Sequence, residues 1–543
     1  MTRTTAVWQE FVLLAAVSLL RIVCVFRYRI DSDEPQHLHV IWGWTRGFVQ
    51  YRDIFDNHVP LFHILAAPIF GLLPESASIL TMMRLALLPL GFATIALTGL
   101  LASRLYGSRA GVWAAILASV FPPFLLKTLE TRNDGLWCVL ILGALLALQG
   151  PPTFRRAVVV GLLTGLAAAT SVKTAVIALA VALAMLTIRL ERGRPRLKLR
   201  ELTAPIVAVC AGLVPPAIIA AYFWQLGALD NLVYGAFGFN LQYDVSPARR
   251  LAGLIALPIL SILVIWIARN RASRSPANRF LTLTIIYFVI VLLSIWPIIT
   301  TRDFLPVFPL AVILFAAFFS RPAPEGVPPW RPQIRLVGLT VLGIVYTVDF
   351  GDLWMTPSAY PRQVIAETLQ LTAPTDYVLD LKGETIYRQR PTRIILEVVG
   401  RSLIKEGDLR DQIAADVQRN GCCVAVRDSN AFPPATRKFL LDHFVSAGVL
   451  RVCGRKLGNA QPGAHVTFEI AVPNLYVIET AHGQPQGLLD GTPYNGPRRL
   501  GIGAHTFVPT VPLSDATVLW AGVRQRDDKL TASLDSPRSI PVQ

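Results

Sequence analysis

About eleven stretches of this 543-residue chain are long and apolar enough to cross a bilayer, and nothing else in the sequence limits its fold so severely. They lie near residues 7–26, 78–102, 110–128, 135–149, 157–171, 174–188, 203–223, 251–268, 280–299, 303–320 and 334–350. Crossing the hydrocarbon takes roughly 20 residues, with a range of about 17–25. The stretch 157–188 is too long for one helix, and Ser171-Val172-Lys173 in its middle suits a tight turn between two short ones. The first run, Val7 to Phe26, lacks a small-residue cleavage site and reads as a retained helix rather than a signal peptide. Composition agrees: 53% of residues are hydrophobic and only 16% charged, against about 25% charged in soluble proteins. The expected class is a polytopic α-helical membrane protein with a soluble portion.

The net charge of +16 raises nucleic acid as a partner, but its distribution excludes that class. The arginines cluster in short links between apolar runs, with no aromatic-spaced basic face. With the N-terminus placed in the cytoplasm, the links that fall inside hold Arg104 and Arg109, Arg155 and Arg156, "RLERGRPRLKLRE" (189–201), "RNRASRSPANR" (269–279), and Arg321, Arg331 and Arg335. Every strongly basic short link is then cytoplasmic, as the positive-inside rule requires. The same alternation puts loop 27–77, the link "ETRND" (130–134), loop 224–250 and everything after about 351 outside. Within loop 27–77, "LFHILAAPIFGLL" (61–73) has the length of an interfacial helix, not a span.

After residue 351 charge rises and short β-like runs appear: "YVLDL" (377–381), "CCVAVRD" (422–428) and "VLRVCGRKL" (449–457). Helical patterns at 408–420 and 435–445 alternate with them, which predicts a small α/β domain over 351–460. From 461 to 543 only strands and turns are legible, with Asp-Gly and Asn-Gly hairpin signals, and a β-sandwich-like domain is expected. No repeat or low-complexity tract is evident. Six cysteines in so long a chain are not a disulfide framework. Cys24, Cys138 and Cys210 read as packing residues, and Cys422 or Cys423 could bridge Cys453.

The chemistry-bearing stretch is "DSDEPQHLHV" (31–40), which follows the first span directly. Asp33 and Glu34 there, with Glu130 and Asp134 in the short link on the same side, put carboxylates of two loops at one membrane face. Two such groups can divide labour, one taking a proton while the other orients a substrate or metal. A solvated loop is the bland alternative. His37, His58 and His63 match no metal-ligand spacing and read as satisfied interfacial histidines. Arg84 and Lys173 are cations in apolar sequence, a costly placement that marks function or snorkelling. Arg302 and Arg249-Arg250 lie on the outer side against the charge rule and need an anionic partner. That partner is a lipid phosphate or pyrophosphate, or simply Asp303, Asp230 or Asp244.

Six segments, in order, resemble the dolichyl-phosphate-mannose protein mannosyltransferase superfamily of the GT-C fold, including its bacterial branch with the lipid A aminoarabinose transferases. They are "SDEPQHLHVIWGWTRG", "YRDIFDNHVPLFHIL", "MMRLALLPLGFATIALTGLLASRLYG", "ETRNDGLWCVLILGALLAL", "GLLTGLAAATSVKTA" and "RDFLPVFPLAVIL". The likeness covers roughly residues 1–350. It departs at Val59-Pro60, where the family has Pro-Pro, and at His58, where a charged residue is common.

The resemblance implies an enzyme that takes a sugar from a polyprenyl-phosphate donor and passes it to a hydroxyl on the extracytoplasmic side, with inversion. Asp33 would be the general base, and Glu34 and Asp134 would orient acceptor and sugar. Arg84, Lys173, Arg302 and Arg249 would neutralise the leaving phosphate, with His58 and Glu130 also at the substrate. A divalent metal is a candidate cofactor, with Asp33, Glu34 and His58 its candidate ligands. The partners implied are the lipid-linked donor, a glycan, lipid or protein acceptor, and the bilayer. The composition, rich in Arg, Ala, Leu and Pro, suits a bacterial inner membrane with the site facing the periplasm. Two other classes stay open: a transporter or flippase for a lipid-linked sugar, and a membrane-anchored glycan-binding assembly protein.

Overall fold

The computed structural model describes residues 3–193, 199–242, 247–269, 275–320, 330–355, 359–427, 430–480 and 483–523. All eleven apolar runs contain helix. The N-terminal half runs α1 (Arg3–Arg27), α2 (Asp33–Thr45), α3 (Leu61–Gly71), α4 (Ile79–Tyr106), α5 (Ser108–Val120), α6 (Pro122–Lys127) and α7 (Asn133–Leu148). Next come α8 (Phe154–Thr170), α9 (Thr174–Glu191), α10 (Leu199–Gln225), and two short helices, α11 (Leu229–Val233) and α12 (Phe239–Leu241). The bundle closes with α13 (Pro247–Arg269), α14 (Pro276–Ile295), α15 (Phe308–Phe319) and α16 (Trp330–Phe350). Among the described residues α1, α4, α9, α10 and α14 meet the length and hydropathy needed to cross a membrane on their own. On α10 the side chains of Ile206, Val209, Leu213, Ile218 and Trp224 are 54–70% exposed. Water would not solvate such a surface, so the hydrocarbon of a bilayer must. The chain is an integral membrane protein.

Local chemistry explains where helices depart from the expected spans. The run 110–128 breaks at Phe121 (φ −76°, ψ 109°) because Pro122-Pro123 removes backbone donors and forces the preceding residue extended. The run 280–299 stops at Ile295, before Trp296-Pro297, and a 3-10 turn (Thr301–Phe304) then precedes α15. That turn is fixed by a capping box between Thr300 and Asp303. Helices α8 and α10 touch backbone to backbone: a Cβ on Gly161 would lie 2.2 Å from the Ala208 carbonyl oxygen, and one on Gly165 2.2 Å from that of Gly212. Only glycine at both positions of this Gly-xxx-Gly pair permits the approach. Ser171-Val172-Lys173 forms the expected turn between α8 and α9. Helix α3, about 16 Å long, is too short to span.

Four helices of the C-terminal region, α17 (Tyr360–Leu371), α18 (Val398–Glu406), α19 (Ile413–Arg419) and α20 (Pro434–His443), accompany eleven strands. These are β1 (Val378–Leu379), β2 (Val424–Val426), β3 (Phe444–Ala447), β4 (Leu450–Ala460), β5 (Val466–Ile470) and β6 (Asn474–Glu479). The remainder are β7 (Gly487–Leu489), β8 (Thr492–Pro493), β9 (Arg498–Leu500), β10 (Gly503–Pro509) and β11 (Leu513–Trp520). One sheet has the order β1-β2-β4-β11-β6-β9 with β3 also on β4, and a smaller one the order β5-β10-β7-β8. Strands β4 and β11 pair antiparallel, so the larger sheet draws on both sides of residue 460. One apolar core, from Val364 to Val523, underlies both sheets. Asp490 and Gly491, both at positive φ, close the β7–β8 hairpin as their sequence signalled. All six cysteines are free, so no bridge to Cys453 forms, and Cys210 is exposed on α10 rather than packed.

Candidate active site

The site begins where α1 ends. The Asp31 carboxylate accepts the Asp33 N–H at 3.1 Å, and the Asp31 N–H donates to Glu34 Oε1 at 2.9 Å, which starts α2. Asp33 and Glu34 stand in the first turn, where the helix dipole favours anions and Pro35 costs no hydrogen bond. Adjacent helical positions point about 100° apart, so the two carboxylates part company. The Glu34 side chain is fully buried. Arg84 Nε donates to its Oε2 at 2.8 Å, a second Arg84 nitrogen grips Oε1, and the Thr131 N–H donates to Oε2 at 2.9 Å. Arg84 spends its other donors on the carbonyl oxygens of Tyr28 (2.9 Å) and Arg29 (2.7 Å). Neither residue lines the cavity described below. The expectation that Glu34 and Arg84 meet substrate is corrected: they bind each other and tie α1, α2, α4 and the 128–132 link together.

Asp33 instead faces a cavity of about 430 Å³ between the bundle and the C-terminal region. Its side chain is 26% exposed. Arg132 pairs with Oδ2, Lys382 with Oδ1, and Arg302 Nη1 lies 3.7 Å from Oδ2. Burial pushes the Asp33 carboxyl up, but Arg132, Lys382 and Arg302 together outweigh it and hold the group well below the usual carboxylate range. Asp134, at the start of α7, accepts from Arg132 Nε at 3.0 Å. Arg302 Nε donates to Glu130 at 2.8 Å while the same guanidinium pairs with Asp31. Glu130, buried and also bonded by Lys127 at 2.6 Å, is therefore a support for Arg302 rather than a cavity wall. Lys173 pairs with Asp303 and sits 5.1 Å over the Trp296 ring, on the cavity.

His58 also lines the cavity and turns Nδ1 to Asp56 at 3.0 Å. Behind it His63 shares hydrogen bonds with His37 (2.8 Å) and Gln50 (3.2 Å), and burial first of all drives the His63 pKa down to about 4. His37 is not the satisfied histidine expected, since its Nε2 is buried without a hydrogen-bond partner. The far wall of the cavity carries Glu397, which accepts from Asn57 at 2.8 Å and whose carboxyl burial raises. The Arg249 and Arg250 side chains lie outside the described residues. The donors proposed for a metal do not fit one. Asp33 already faces three cations, Glu34 is closed by Arg84, and His58 is engaged with Asp56. Among the described residues no group of three or more His, Cys, Asp or Glu is placed to hold an ion.

Asp33, Asp134, Lys173, Arg302 and His58 thus meet on one cavity, from segments that the alternation of spans assigned to a single face. Three participants were missed. Arg132 sits inside "ETRND", where an arginine flanked by two acids in a link too short to turn away was a usable signal. Asp31 stood in the quoted acidic cluster but was given no role. Lys382 comes from the soluble region, 349 positions from its partner, and no local pattern marks it.

A membrane bundle with acidic loops gathered at one end under a soluble α/β region defines an integral membrane protein of the GT-C fold. Among solved structures, the chain is similar to ArnT from Cupriavidus metallidurans bound to undecaprenyl phosphate, with TM-score 0.54 and 14% identity over 83% of this chain and 98% of that one. The apo form of the same protein matches with TM-score 0.51 and 15% identity over 82% and 98%. Neither a family model nor a curated protein matches the sequence.

Proposed function

We propose that the protein is a polyprenyl-phosphate-sugar-dependent glycosyltransferase, a hexosyl- or pentosyltransferase, that inverts configuration with Asp33 as general base. The observation that carries this reading is Asp33 on the cavity wall, ionised and within reach of the guanidinium groups of Arg132 and Arg302. Its support is the fold shared with a protein whose structure holds undecaprenyl phosphate. The acceptor hydroxyl attacks the anomeric carbon and gives its proton to Asp33. The bond from that carbon to the phosphate oxygen breaks on the opposite face, and the electron pair leaves with the lipid phosphate. Fixed cations stabilise that charge as it develops, and Arg132, Arg302 and Lys173 are the groups available. Asp134 keeps Arg132 in place. We assign catalysis to residues 1–350 and acceptor orientation to the tail, with the site on the periplasmic side of an inner membrane.

The test uses purified protein in nanodiscs, wild type beside Asp33→Asn, offered a panel of radiolabelled polyprenyl-phosphate sugars with membrane extract as acceptor. Release of free polyprenyl phosphate by wild type alone is expected. Equal release by both moves the base elsewhere, and no release from any donor despite lipid binding favours a transporter.

A further inference from the structure

Among the described residues five cations line the cavity: Arg132, Lys173, Arg302, Lys382 and Arg401. The first three come from the bundle and are tied to the carboxylates described above, Arg132 and Arg302 to more than one each. Lys382 belongs instead to the soluble region, and among the described residues its Nζ pairs with a single carboxylate, Asp33, and bonds the Ser32 hydroxyl at 3.2 Å. Its backbone, by contrast, is over-determined. Asp380 accepts the N–H groups of Gly383 (2.8 Å) and Thr385 (3.0 Å) and is bonded by Arg390 Nε at 2.7 Å. Glu384 accepts the N–H groups of Leu381 (2.9 Å) and Lys382 (3.0 Å). Gly383 adopts φ +110° against α2, where a Cβ would come within 2.7 Å of His39 Cβ, and His39 Nδ1 lies 2.9 Å from the Ile386 carbonyl oxygen. A rigid loop therefore delivers one flexible, strongly charged four-carbon stem to the carboxylate at the centre of the site.

We propose that Lys382 is a positioning residue of the transfer site: it clamps Asp33 while the cavity is empty and passes to the phosphate of the lipid donor when that anion arrives. The inference rests on the reading of Asp33 as the base. It accounts for a tension in that reading, because a carboxylate facing three cations is a weak base until one of them leaves. Of those three, Lys382 has the fewest other partners to hold it back. Donor binding would then switch on the base, and a lone acceptor would meet a carboxylate still neutralised. The groups facing Asp33 are Asp31 from its own loop, Arg132 from the 128–132 link, Arg302 from the 3-10 turn, Lys382 from the soluble region, and more weakly Glu397. Of these only Lys382 is removed in the test.

Protonation of Asp33 is read by infrared pH-difference spectra of full-length protein in nanodiscs, as the carboxyl band absent from Asp33→Asn. Without lipid, Lys382→Met is expected to raise the midpoint by about one to three pH units, and Lys382→Arg to leave it near wild type. Adding undecaprenyl phosphate is expected to raise the wild-type midpoint, and to raise that of Lys382→Met by less. A lipid-free midpoint in Lys382→Met equal to wild type, or an equal lipid-induced shift, overturns the proposal. If the methionine variant is not monodisperse, Lys382→Gln gives the same readout. Turnover of Asp33→Asn is measured separately: retained turnover removes the base reading, whereas a dead Asp33→Asn with a silent Lys382→Met removes this inference alone.

Discussion

Asp33 and Glu34 are neighbours in the chain and belong to opposite kinds of site. Around Glu34 the charged groups are satisfied and have nowhere to go: Arg84 and the N–H groups of Asp31 and Thr131 bond the carboxylate, and two carbonyl oxygens take the other Arg84 donors. Around Asp33 charges are shared among three cations from three separate segments beside open volume. The first arrangement suits permanence, since a buried pair that loses one member leaves an uncompensated charge. The second suits exchange, because a new anion can enter and be paid for by rearranging ion pairs already there. Burial and partner count, rather than residue type, separate scaffold from site.

The contrast is open to direct attack. The largest effect is expected from Asp33→Asn, which should cut turnover by roughly 10²- to 10⁴-fold in a protein that still folds. Turnover within threefold of wild type would break the comparison at its catalytic end. Glu34→Ala should do the reverse, lowering stability by about 3–5 kcal/mol through the orphaned Arg84. A Glu34→Ala protein as stable as wild type but inactive would return Glu34 to the site.

Acid provides a third test. His63 is buried with its pKa lowered from 6.5 to about 4, so between those values the unfolded chain binds the extra proton. Stability must then fall as pH falls through this window, by on the order of 3 kcal/mol in total, and His63→Gln should flatten that slope. Asp33 has the same sign in a more acidic window. Its pKa is held below the ordinary 3.8, so its stabilising contribution is complete above that value and is lost only at lower pH still. A steep loss of stability that persists in His63→Gln would mean that another buried group dominates, with His37 next to examine. The smallest effect, about 1–3 kcal/mol, is expected from Gly383→Ala, which forces a side chain into a positive-φ position against His39. Unchanged stability and an unchanged Asp33 midpoint would show that the loop tolerates what its geometry forbids.

Much of the fold was legible because the bilayer imposes a simple rule on sequence. Long apolar runs become helices, Ser171-Val172-Lys173 becomes a turn, and Asp490-Gly491 closes a hairpin. Proline at 122 and 123 was visible too, although its power to split a span and sink the following link into the site was not drawn from it. The gathering of Asp33, Arg132, Lys173 and Arg302 at one end follows from counting spans, since each sits at the same parity. What the count could not separate was Asp33 from Glu34, or Arg84 from Arg302, because each pair looks alike in one dimension.

That sorting belongs to three dimensions. Hydropathy and charge are properties of segments, and the sequence by itself determined the membrane class, the helical spans and the face on which the acids meet. Which carboxylate is locked and which is free depends on a 100° step along α2 and on what packs there. The arrival of Lys382 depends on a loop of the soluble region folded against α2, held by contacts between residues more than three hundred positions apart. Long-range contacts of that kind leave no periodicity behind, and only the tertiary structure decided them.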